Sequence, residues 1–178
     1  MLGSTTVILI AVAVGGGILA VVAYYVIRFM RGSIKLSLPR TAFNPGDAIA
    51  GSFDLHTKKA IEGNKLIVSL LGVQVTESYE NGKKRTRSRE IYRDQVVVEE
   101  AKAYSAGHTS QHQFEIATPN TGASEFMNSA LGQTLTGALR LLSNRRTRLK
   151  WKVEVRLDAK GVDLATSTSV SINVQPLA

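Results

Sequence analysis

The sequence predicts an all-β fold, an antiparallel β-sandwich with one inserted helix, preceded by a single transmembrane α-helix. Three observations predict it. Leu2 to Ile27 holds no charged side chain. From Ile34 onward, apolar and polar residues alternate in short runs divided by turn residues, the pattern of half-buried strands. Only between Ser124 and Ser143 do the apolar residues recur at helical spacing. The boundaries follow: 1–30 for the transmembrane helix and 33–176 for the sandwich, with the helical insertion at about 124–143.

Taken in order, the N-terminal segment comes first. Its strongly apolar stretch, Val7 to Ile27, is 21 residues long. At about 1.5 Å per residue a helix of that length covers about 30 Å, the thickness of a hydrocarbon core. A cleaved signal peptide is the alternative, with Val21-Val22-Ala23 as its small-residue site. No Lys or Arg precedes the apolar run, and the run outlasts a usual signal core, so an anchor is the better reading. Arg28, Arg31, Lys35 and Arg40 follow it, and the first acidic residue is Asp47. Positive flanks stay in the cytosol, so the N-terminus should face out and the β-domain should be cytosolic. Tyr24 and Tyr25 fall near the inner interface, where such rings are favoured. Gly15-Gly16-Gly17 and the nearby alanines give a small-residue face, a composition common in membrane helices.

The strands follow. Ile34, Leu36 and Leu38 alternate with polar residues. Asn44-Pro45-Gly46-Asp47 is a turn, because proline presets φ and glycine supplies a positive φ. Ile49, Gly51, Phe53 and Leu55 make a second strand, and Lys65 to Ser78 a third. Asn81-Gly82 signals a hairpin. Lys83 to Arg89 reads as a basic loop or strand end. Ile91–Glu99 and Gln111–Thr118 read as further strands, with a turn at Gly107. Leu149, Trp151, Val153, Val155 and Leu157 alternate strictly with Lys150, Lys152, Glu154 and Arg156, so one face is buried and one wet. A turn at Asp158–Gly161 leads to a last strand with Val162, Leu164, Val170, Ile172 and Val174 on one face and Thr and Ser opposite. About seven strands of this kind make a sandwich. In the insertion, Met127, Leu131, Leu135, Ala138, Leu139 and Leu142 carry the helical spacing. Asn120, Gly122 or Ser124 supplies the N-cap, and Asn144 ends the helix. Such a helix must cover an edge or end of the sandwich, or lie on a membrane or partner. Met127, Leu131, Leu135, Leu139 and Leu142 are its candidate interface.

These strands resemble a known family. Ile34–Leu38, then Pro45-Gly46-Asp47-Ala-Ile49-Ala-Gly51-Ser-Phe53, then Leu66 to Val73 look like the start of an arrestin-like, immunoglobulin-like β-sandwich. Phe114-Glu-Ile116 with Pro119, and Trp151 to Asp158, sit where such domains carry later strands. The relatives include eukaryotic arrestins, a retromer subunit and bacterial sporulation-control proteins. The resemblance implies a non-enzymatic adaptor or scaffold that binds a protein partner at a membrane. Eukaryotic arrestins pair two sandwiches and this stretch holds one, so no residue of their inter-lobe polar core carries over.

Nothing in the sequence points to catalysis or a cofactor. Cysteine is absent, which excludes disulfides and thiolate metal sites. His108 and His112 are four apart in strand or turn context, about 13 Å apart on a strand, too far to share a metal. Glu99 and Glu100 are neighbours in sequence but point to opposite faces of a strand. Asn81-Gly-Lys-Lys lacks the residues of a phosphate loop.

The net charge of +8 concentrates in two clusters. One is Lys83, Lys84, Arg85, Arg87, Arg89 and Arg93. The other is Arg140, Arg145, Arg146, Arg148, Lys150 and Lys152, with no acidic residue between them. Both are candidate contacts for an anionic surface, and the plain alternative is a solvated loop and the wet face of a strand. The expected function is a membrane-anchored adaptor that binds a protein partner at the cytosolic face. The alternative is an anionic-lipid-sensing or membrane-shaping domain working within a Debye length or two of the bilayer. Nucleic acid is not favoured, because Tyr92 and Trp151 are the only aromatics in the clusters and Trp151 points inward.

Overall fold

A computed structural model describes residues 26, 29–80, 83–120, 129–140 and 147–173. Residues 29–31 are helical and lead directly into β1, Gly32–Ser37. The strands β2 (Ala42–Phe43), β3 (Ala48–Thr57), β4 (Ile61–Glu80), β5 (Lys83–Glu99), β6 (Lys102–Tyr104) and β7 (Thr109–Ala117) follow. Helix α1 spans Ala130–Arg140, and β8 (Thr147–Ala159) and β9 (Leu164–Ile172) complete the order. Among the described residues no helix is long and apolar enough to cross a membrane. The expected anchor at Val7–Ile27 lies outside them, apart from Val26.

Two sheets form the sandwich. The small sheet has the order β1-β3-β7, and the large one β2-β9-β8-β4-β5, with β6 added beside β4. All the pairings are antiparallel except the parallel β2–β9 contact. Period-2 patterning drives the stacking. Ile49, Phe53, Leu55, Phe114 and Ile116 of the small sheet face Leu66, Val68, Leu70, Trp151, Val153, Val155 and Leu157 of the large one in a single cluster. Each such side chain contributes about 1.5–3 kcal/mol when fully buried.

Several local expectations hold. In the first turn Gly46 has φ 85° and Asp47 N–H donates to the Asn44 carbonyl at 3.1 Å. Thr118 Oγ1 donates toward the Asn44 and Asp47 carbonyls, both at 2.9 Å, tying β7 to that turn. Gly107 takes φ 78° at the expected bend.

Others are narrowed or corrected. Of the two readings of Lys83–Arg89, loop or strand end, the strand holds: the segment is paired along its length with β4, from Glu80↔Lys83 to Gln74↔Arg89. Asn81 and Gly82, the expected turn, lie outside the described residues. The third strand starts at Ile61 and not Lys65, and the short strands β2 and β6 went unread because neither is long enough to show a period. In β9, Thr166 and Thr168 share the face of Leu164 and Val170. Helix α1 begins at Ala130, and Ser129 Oγ accepts from Gly132 N–H at 3.0 Å; Gly122 and Ser124, two of the expected caps, lie outside the described residues.

The β4–β5 register shifts twice, at Leu66/Ile67 and at Gly72/Val73, and the second shift shapes the tip of that hairpin. Gly72 pairs with Tyr92 and Val73 with Glu90, so Ile91 is the extra residue. A Cβ on Gly72 would sit 2.9 Å from the Trp151 ring and 3.0 Å from the Tyr92 Cβ. The Tyr92 and Trp151 rings meet edge to face at 5.3 Å over this glycine. A bulge increases local twist and bends its strand. Beyond it the β4–β5 hairpin runs past Thr76↔Thr147, the last pair with β8.

Candidate functional site

The sandwich has two unlike ends, set by the register. At one end, here the base, Gly32 pairs with Thr57 and Gly63 with Ala159. At the other, the tip, β4 and β5 close at Glu80↔Lys83. β4 is 20 residues long, and at about 3.3 Å per residue base and tip are separated by roughly 60 Å of strand.

The tip carries the first basic cluster, which the pairing divides between two faces. Lys83, Arg85, Arg87 and Arg89 alternate along β5, so they share one face. Gln74 pairs with both Arg89 and Leu149, which places that row on the side of Leu149 and Trp151. It thus prolongs the core face beyond the core. All four residues are exposed. Lys83, Arg87 and Arg89 enter no ion pair among the described residues. Helix α1 lies against β5.

The opposite face is balanced. Lys84 and Arg148 both reach Glu77, at 2.8 and 2.6 Å. Arg93 forks onto Glu90 with two 2.8 Å hydrogen bonds. Lys152 and Arg156 flank Glu154, each at 2.9 Å. The hydrogen bond from Lys84, aided by the charges of Lys84 and Arg148, holds the Glu77 carboxyl below its usual range. Burial opposes ionisation of Glu154, but the bond from Lys152 and the charges of Lys152 and Arg156 prevail and its pKa is lowered. The second basic cluster is therefore not one patch. Arg148, Lys150 and Lys152 fall on this face, opposite Val75, Val73 and Leu71 of β4. Arg148 is neutralised by Glu77, remote in sequence, and Lys152 by Glu154, two residues on. Arg140 closes α1, and Arg145 and Arg146 lie outside the described residues.

Of the candidate helix interface, Leu131 is 44% exposed. Leu135 and Leu139 lie within α1, while Met127 and Leu142 lie outside the described residues.

The base joins Arg31 to residues remote from it in sequence. Arg31 O accepts from Lys58 N–H at 2.8 Å, and Arg31 Nη1 donates to the Lys160 carbonyl at 2.9 Å. Lys58 Nζ lies 3.5 Å from the centre of the Phe29 ring. Phe29 and Met30 are 70% and 46% exposed. The adjacent Lys58-Lys59 pair beside Ala60 was the available signal.

Two of the histidines make packing contacts. His56 Nδ1 bonds Thr109 Oγ1 at 3.0 Å, and His112 stacks on Phe53 with ring centres 5.1 Å apart. No group of three or more potential metal ligands occurs among the described residues. Glu99 is bound by Lys102 and Tyr104, at 2.8 and 2.6 Å. Burial, then that bond, pushes the Tyr104 hydroxyl well above its usual range.

The two stacked sheets form a β-sandwich, and its likeness to a solved structure makes the fold arrestin-like. The structure is similar to that of Spo0M, a sporulation control protein from Bacillus subtilis, with a TM-score of 0.54 and 14% identity. The match covers 82% of this chain and 51% of that one, so this chain spans about half of its length. At that identity the likeness establishes the fold alone. No protein-family model and no curated protein matches the sequence.

Proposed function

We propose that the chain is a membrane-anchored, non-enzymatic adaptor that binds a protein partner at the cytosolic face. One observation carries the reading: the row Lys83, Arg85, Arg87 and Arg89 prolongs the core face past the sandwich and is exposed. A row of cations spaced at about 7 Å along a strand suits an acidic extended segment of a partner, with Arg forks bonding its carboxylates. The apolar run Val7–Ile27, followed by Arg28 and Arg31, supports the anchor and the orientation. A lipid-sensing role for the same hairpin requires the strands to lie along the bilayer, because the row sits at the far end from Gly32.

The test is cross-linking of the full chain in its native membrane. Partner capture should fall at least about tenfold in an Arg85→Glu/Arg87→Glu/Arg89→Glu variant. Unchanged capture by that variant rejects the row as the binding surface.

A further inference from the structure

The base differs from the tip in both its charge and its apolar surface. Two loops and the incoming chain meet there. The β3–β4 loop presents Lys58 and Lys59, and the β8–β9 loop presents Lys160, all exposed. Phe29 and Met30, exposed and apolar, stand beside them. A cleft of about 400 Å³ opens between Arg31, Ile61, Glu62, Tyr104 and Lys160. Glu62 is the one carboxylate in its lining, 4.0 Å from Lys160 Nζ, with both side chains largely exposed.

Cations around a cleft beside exposed aromatic and thioether side chains match a membrane interface. Ammonium groups bond headgroup phosphates there, and amphipathic or apolar side chains sit at headgroup level. Chain geometry selects the same occupant. The charge-free run Leu2–Ile27 is separated from Phe29 only by Arg28, and Arg31 is fastened to Lys58 and Lys160.

We propose that the base is a seat for anionic lipid headgroups, contacted by Lys58, Lys59 and Lys160, with Phe29 and Met30 in the interface. The seat sets the strands steeply to the bilayer and holds the arginine row away from it. The inference rests on the membrane reading above, and it adds a lipid class and an orientation.

The chain has no cysteine, so single-cysteine probes are clean. The experiment places a fluorophore at Ala60→Cys or Thr86→Cys in the full chain. Each variant is incorporated into vesicles containing a headgroup quencher, with about 30% phosphatidylserine or with neutral lipid only. The base probe should be quenched several-fold more than the tip probe. That excess should shrink at least about twofold in neutral vesicles, and likewise in Lys58→Glu/Lys59→Glu/Lys160→Glu. Equal quenching of the two probes, or an excess indifferent to lipid charge and to the variant, overturns the seat. A carbonate wash separates the two ideas. Loss of the chain on washing, after charge-dependent quenching of the base probe, rejects the anchor and leaves the seat standing. A retained chain with an unquenched base probe rejects the seat and leaves the anchor.

Discussion

Gly72 occupies a place where no side chain fits, and the reason is two residues away in space and far away in sequence. Trp151 and Tyr92 close over it from the neighbouring strands. Gly72→Ala forces one of those rings off its position and should cost about 1–3 kcal/mol, measured by denaturant unfolding of the full chain in detergent. A change under about 0.5 kcal/mol would mean that the rings shift freely. At this scale the sequence was partly legible. Trp151 was placed inward by strict alternation with Lys150 and Lys152. The ion pairs were not legible, because Glu77 meets Lys84 and Arg148 only once three strands are set in register. A run of cations without an intervening acid looks unbalanced in one dimension and is balanced in two.

Strands were read well wherever one face is buried, as in β1, β3 and β8, since burial imposes the period. The β4–β5 hairpin beyond the Gly72 bulge has no buried partner sheet to impose one, so Lys83–Arg89 carries no apolar period and reads equally as a loop or a strand end. Its exposure also predicts tolerance. Replacing Arg85, Arg87 and Arg89 with Glu should change stability by no more than about 0.5 kcal/mol per site, a condition that thermal unfolding checks before any binding result is interpreted. In α1, Ser129 caps the first turn through Gly132 N–H. Ser129→Ala should cost about 1 kcal/mol and speed amide hydrogen exchange in Ala130–Arg140 while leaving β8 protected. Uniform acceleration across both elements would show that α1 unfolds only with the whole sandwich.

For the whole molecule, acidity is the informative variable. The carboxyls of Glu77, Glu90, Glu99 and Glu154 are all held below the ordinary value of 4.5. Groups of this kind bind protons more readily when unfolded. Their stabilisation is complete above that value and is lost as pH falls through the folded values. At the other extreme, burial, with a smaller part from Asp94, pushes Tyr92 up to about 12 from 10.0. The unfolded tyrosine therefore ionises first, and stability declines from pH 10.0 upward. Thermal midpoints should form a plateau between these limits and fall on both sides. A midpoint that rises on acidification below pH 4.5 would contradict the ion-pair assignments.

Fastening Arg31 to two loops has a mechanical side. The hydrogen bonds to Lys58 and Lys160 leave little slack where the chain meets β1. A joint of that kind makes the hairpin a lever with its fulcrum at the base. Rocking the base by about 20°, an ordinary tilt for a membrane helix, sweeps the end of an arm of roughly 60 Å through about 20 Å. With the base seated on a bilayer as proposed, small changes at that surface would become large changes in the reach of Arg85 and Arg87.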